Sequence, residues 1–115
     1  MKGEILNQLE WQISVSKQAI ELNDALQRLR NNPDFIKVVQ KSYFEERAIK
    51  LVAYSGNPEC VGEVKTSTDL DIIAIGRFAH HLNNIARAAD SATNTITDCR
   101  IQIAELDKFD DEVNE

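Results

Sequence analysis

Glycine and proline are scarce in this sequence, with four and two copies in 115 residues. Sheets and barrels need both at their many turns, so the scarcity favours long helices. Cysteine is as sparse: Cys60 and Cys99 lie far apart and neither belongs to a CxxC pair. There is no run of 18 apolar residues and no charged-then-apolar leader. The chain therefore reads as soluble and cytosolic, with reduced thiols and no membrane association. Catalytic signatures are missing too. No glycine-rich phosphate loop, no GxSxG and no nucleophile with a recognisable base occurs. His80 and His81 are adjacent, so on a helix they point about 100° apart, whereas a helical zinc pair needs i, i+4 spacing. These absences predict a protein that is not an enzyme, with no catalytic residue, no cofactor, no metal and no small-molecule substrate.

Positive charge is in deficit. The net charge is −6, and residues 105–115 alone hold six acids against Lys108, leaving about −1 for everything before them. Direct binding to nucleic acid needs a net basic surface and is not expected. The acidic end, residues 110–115 above all, reads as a solvating tail or as a docking segment for a basic partner.

What is present is periodicity. Ile75, Phe78, Leu82, Ile85, Ala89, Ala92, Ile96, Cys99, Ile103 and Leu106 alternate spacings of three and four without a polar interruption. This is a heptad seam with a positions counted from Ile75 and d positions from Phe78. It predicts a helix over about 68–109, roughly 60 Å long at about 1.5 Å per residue. Ser67 or Thr68 suits its N-cap, with Asp69 and Asp71 in the first turn. The flanking e positions are Ala79, Ala86, Thr93, Arg100 and Asp107 and the g positions His81, Ala88, Thr95 and Gln102, and through the middle they are small and uncharged. A simple two-stranded coil would carry complementary charges there, so the seam fits packing against two helices better. Cys99, at a d position, reads as a small core residue. Gly76 costs helix stability, and a close contact would explain it.

Ahead of this rod the sequence predicts helices over about 2–29 and 33–54. The first has two apolar faces. Ile5, Leu6, Leu9, Ile13 and Ile20 cluster on one side, and Trp11, Val15, Ala19, Leu22, Ala25, Leu26 and Leu29 on the other. A helix with two such faces is sandwiched, and its second face meets another helix of the same chain, another copy or a different partner. Trp11, the only tryptophan, is either core or an interface anchor. Asn31 suits a left-handed C-cap, Asn32 the next N-cap and Pro33 the first helical position. In the second helix the stripe of Phe35, Val39 and Tyr43 gives way to Phe44, Ala48, Leu51 and Val52, which predicts a bend or a change of packing partner near Tyr43-Phe44. Ser55-Gly56-Asn57-Pro58 ends it. Residues 59–66 then form a loop in which Cys60 is a candidate exposed thiol, or which Cys60, Val61 and Val64 tuck onto the bundle. The expected fold is all-α: a single domain over 1–109, a three-helix bundle with long N-terminal and C-terminal helices and coiled-coil-like heptad packing.

Three stretches taken together resemble a known group. They are Ala25-Leu26-Gln27-Arg28-Leu29-Arg30-Asn31-Asn32-Pro33-Asp34-Phe35, then Tyr43-Phe44-Glu45-Glu46-Arg47-Ala48-Ile49-Lys50-Leu51-Val52, and Asp71-Ile72-Ile73-Ala74-Ile75-Gly76-Arg77-Phe78. The pattern is similar to small helical proteins of tailed bacteriophages, which share an L-x-x-L-x-x-N-x-D-F break, a Y/F-x-x-E-A-x-x-L-V helix and an I-x-A-I-G start to a long last helix. The resemblance covers roughly residues 5–90, with Arg47 in place of the usual acid before Ala48. Its motifs carry capping and packing, and no catalytic residue comes with them.

The resemblance implies a phage protein. The first expectation is a non-enzymatic virion or assembly component, located in the virion after assembly in the host cytoplasm. Its partners would be other virion proteins or its own copies as a homo-oligomer. The alternative is a small cytosolic inhibitor of a host enzyme or defence protein, and a third is a scaffolding factor that leaves before maturation. The candidate interface residues are Ile5, Leu6, Leu9, Trp11, Ile13, Ile20, Asp110, Asp111 and Glu112.

Overall fold

Three helices carry the chain in a computed structural model, and among the described residues there is no strand. Backbone is described for residues 1–114 and side chains through residue 109, so the side chains of Asp110, Asp111 and Glu112 lie outside the described residues. Helix α1 is Lys2–Arg30, α2 covers residues 33–55, and α3 is Gly62–Asn114. The fold is all-α, and its long first and last helices pack together.

The join between α1 and α2 is built by two asparagines. Asn32 Oδ1 accepts the backbone N–H of Asp34 at 2.9 Å and of Phe35 at 3.3 Å, with Pro33 at the first turn. Two otherwise orphaned donors are satisfied in this way. Asn31 does not take the expected left-handed conformation, since no non-glycine among the described residues has positive φ. Its side-chain amide instead donates to the Gln27 carbonyl at 3.0 Å, closing the last turn of α1 from within.

The stripe shift in α2 coincides with a change of winding. Pro33–Phe35 and Ala48–Ser55 are α-helical, while Ile36–Arg47 between them is π-helical. The inward residues form two columns at spacing four, Phe35, Val39 and Tyr43 beside Ile36, Gln40, Phe44 and Ala48, all half-buried. In an α-helix each step of four drifts about 40° around the axis. The i→i+5 winding places more residues in each turn and cancels that drift.

Helix α3 begins at Gly62, earlier than the expected cap at Ser67 or Thr68, and runs past 109 through the acidic segment to Asn114. The hydroxyls that look like caps are satisfied inside the helix. Thr68 Oγ1 donates to the Val64 carbonyl at 2.8 Å and Thr66 Oγ1 to that of Gly62 at 3.3 Å. Gly62 enters the helix at φ 65°, a conformation that disfavours a side chain. Asp69 and Asp71 are not caps either. The connection before α3 buries Cys60, contrary to an exposed thiol, while Val61 and Val64 stay exposed.

The chain divides into two compact units, each taking part of α1 and part of α3. The first comprises residues 1–25 and residues from 85 onward. Ala89, Ala92, Ile96 and Cys99 of the seam are buried there, with Ile85, Ile103 and Leu106 half-buried. From α1 come Leu9 and Ser16, both buried, flanked by half-buried Leu6, Gln12, Ile13, Ala19 and Ile20. The Cys99 thiol donates to Gln12 Oε1 at 3.4 Å.

The second unit is residues 26–84. Leu26, Cys60, Thr68, Ile75 and Leu82 are buried in it. Its α2 and α3 segments are antiparallel, as three cross-contacts in order show: Ser55 with Asp69, Arg47 with Asp71, and Phe44 with Phe78. Phe78 is the seam residue left 39% exposed, because it leans into an aromatic group with Tyr43 and Phe44 at centroid distances of 6.1 and 5.5 Å. Gly76 has no close neighbour: a Cβ there would meet nothing within 4 Å.

Candidate functional site

Helix α1 commits one of its two apolar faces and leaves the other bare. Within the first unit, Trp11 is 63% exposed, Leu22 56% and Val15 44%. At about 100° per residue these three fall within about 40° of one another, and about 130° from the buried pair Leu9 and Ser16. Gln18 and Ala25, also exposed, complete a row at positions 11, 15, 18, 22 and 25. Spacings of four and three alternate along it, so it is a second heptad seam on the outside of the helix.

This placement sorts the interface candidates. Leu9 is buried against the chain's own interior and offers nothing to a partner. Leu6, Ile13 and Ile20 share its inward side and are half-buried. Ile5 shares that side yet is 45% exposed, and Trp11 stands on the bare face rather than in the core. Val15 and Leu22 are surface residues the candidate set omitted. Their signal was present in the sequence as the four-three spacing from Trp11. Ala19 and Leu26, which the helical spacing sets near the same face, turn inward.

Beside the bare row runs a charged flank of Glu10, Lys17, Glu21 and Asp24, all exposed. Apolar knobs edged by charge on one side suit helix-to-helix packing and give no pocket for a small ligand.

The second unit has its own surface features. Val38, Val39, Ser42, Tyr43, Arg47 and Phe78 line an open groove. Ser55, Lys65 and Asp69 form a polar cluster in which the Ser55 hydroxyl donates to Asp69 Oδ1 at 2.7 Å, while Lys65 Nζ donates to Ser55 Oγ and to both Asp69 oxygens at 3.0 and 3.1 Å. These contacts hold the Asp69 carboxyl below the usual carboxylate range, first through Ser55 and then through Lys65. The lysine is committed to the carboxylate as an ammonium, so the cluster acts as a strut between α2 and α3 and not as a nucleophile beside a base.

Among the described residues no group of three or more His, Cys, Asp and Glu side chains is placed to hold a metal ion. No helix among them is long and apolar enough to cross a membrane. The chain matches no family model, no curated protein and no solved structure.

Proposed function

We propose that this chain is a non-enzymatic helical protein of a tailed bacteriophage that works by laying a helix face against its partners, as a component of the virion or of its assembly. The observation that carries the reading is the bare apolar row Trp11, Val15 and Leu22 on a helix whose opposite face is already filled. Exposed rows of large apolar side chains cost solubility, and they are kept where a partner covers them. Tryptophan at the head of the row is the residue type most enriched at binding hot spots. The phage assignment rests on the three motif stretches around residues 25–35, 43–52 and 71–78.

Quantitative mass spectrometry of purified virions tests it. The expected result is the chain at a fixed copy number per particle. Its absence from particles and from assembly intermediates alike overturns the reading.

A further inference from the structure

We infer that two unlike faces of this chain bind each other between copies. The lysine-lined trough along α2 of one copy takes the exposed acidic and apolar face that α3 of another copy carries from Asp98 onward. This deepens the packing reading above by naming a second copy as partner, and rests on it for its biological meaning.

The trough runs along α2. Pro33, Ile36, Lys37, Lys41, Ser42 and Glu46 line one stretch, and a second, sharing Ser42 and Glu46, continues it to Lys50 and Leu51. Its Arg47 is already paired with Asp71 at 3.6 Å. Lys37, Lys41 and Lys50 are exposed and make no ion pair among the described residues. Three free ammonium groups therefore stand beside half-buried Ile36 and Leu51, against the single lining carboxylate of Glu46.

The opposing face is on α3. Ile101 is 52% exposed and Phe109 63%. At about 100° per residue they fall with Asp98 and Glu105 within about 80° of one another, away from the buried seam. Asp98 and Glu105 are exposed as well, so acid and large apolar side chains alternate along the row. Between residues 98 and 112 there are six acids and two cations, Arg100 and Lys108.

Charge selects the pairing of unlike faces. A trough laid on a second trough brings lysines together, and two α3 faces bring carboxylates together. Trough against α3 face sets the opposite charges across from one another, with apolar side chains between them. Helix α3 is continuous from Gly62 to Asn114, so the turns bearing Asp98 to Phe109 cannot fold back onto α2 of their own chain. Every copy carries both halves of the contact. The pairing is therefore heterologous, and it propagates from copy to copy or closes on itself. Its ion pairs are exposed, so it is weak and sensitive to salt.

Sedimentation velocity of the full chain from about 10 µM to about 1 mM, in about 20 mM and about 500 mM sodium chloride, tests the inference. The expected result is a mean mass that rises with concentration in low salt and returns to the monomer in high salt. The double variants Lys37→Glu with Lys41→Glu, and Asp98→Lys with Glu105→Lys, should each weaken association at least about tenfold. A one-to-one mixture of the two should regain it, because each supplies the face the other has lost. All four side chains are exposed, and melting curves confirm that the variants are folded. A monomer throughout, association that salt leaves unchanged, association indifferent to either exchange, or a mixture no stronger than its components each overturns the inference. A chain that stays monomeric but is found in virions overturns only the self-pairing. One that associates as described but is absent from particles and intermediates overturns only the phage assembly reading.

Discussion

Gln12 of α1 and Cys99 of α3 meet inside the first unit, the thiol donating to the amide oxygen at 3.4 Å. Cys99 is 2% exposed and occupies a d position of the seam. A thiol buried this deeply is shielded from reagents in solution. Cys60, at 5% exposure, is equally shielded. A thiol-reactive chromogenic reagent should therefore leave the native protein nearly untouched and titrate two thiols after denaturation. Rapid reaction of one thiol under native conditions would contradict the placement of Cys60.

The aromatic group of the second unit should be felt as a unit. Phe78 packs edge-on against Tyr43 and obliquely against Phe44. Phe78→Ala should cost about 2 kcal/mol, below the ~3–5 of a fully buried phenylalanine because part of the ring already faces water. Phe78→Leu should recover about half of that loss. Urea unfolding at constant m-value measures both, and a change under 0.5 kcal/mol for the alanine variant would show that the cluster carries no stability.

The strictness of the pattern decided what could be read in advance. The ten-residue seam on α3 was legible because three-four spacing without a polar interruption has one helical solution, and nine of the ten are buried or half-buried. The faces of α1 were legible as two, but the assignment of residues to them was not. The inward side admits Gln12 and Ser16, polar residues that an apolar count skips. Its outward side carries Trp11, which an apolar count would send to the core. The π-helical winding of Ile36–Arg47 was visible only as a misfit, since columns at spacing four suit neither a straight α-helix nor a strand. The start of α3 was misjudged because Ser67-Thr68-Asp69 has the composition of a cap, and only the geometry shows the Thr68 hydroxyl bonded back to Val64.

Two glycines should respond in opposite ways to the same substitution. Gly76 is helical, exposed and surrounded by open space, so Gly76→Ala should stabilise the protein by about 0.5–1 kcal/mol through the lower entropy of the unfolded chain. Gly62 sits at φ 65°, and Gly62→Ala should cost about 1 kcal/mol or more through backbone strain. Calorimetry of the two variants beside the parent checks the signs, and a destabilising Gly76→Ala would reveal a contact that the single chain does not make.

Acid should weaken the strut between α2 and α3. Asp69 is held below the ordinary carboxylate range by the Ser55 hydroxyl and the Lys65 ammonium. Its folded value lies under its unfolded value of about 3.9, so below that point the unfolded chain binds more protons. The stability it contributes is complete above about pH 4 and is lost as pH falls through the folded value. Asp69→Asn should therefore lower the melting temperature at pH 7, and the gap between variant and parent should narrow towards pH 2.5. A gap that stays constant across that range would show that the carboxylate's charge plays no part. The pair is partly exposed, so the effect should be modest and should shrink with added salt.

The sharpest contrast lies between two leucines of α1. Leu9 is 5% exposed and Leu22 56% exposed, although both belong to apolar rows of one helix. Leu9→Ala removes packing inside the first unit and should cost about 2–4 kcal/mol. Leu22→Ala removes side chain that already faces water, and in dilute solution should stay within about 0.5 kcal/mol of the parent. Burial alone predicts that difference, because helix propensity slightly favours alanine at both sites. Thermal and urea unfolding at low micromolar concentration isolate the monomer, where only the inward row is covered. Repeating the melts near 1 mM then brings in any surface that Leu22 shares with a partner. A Leu22→Ala penalty that appears only at high concentration would place this residue in an interface. A large penalty already at low concentration would mean that the outer face of α1 is covered by the chain itself.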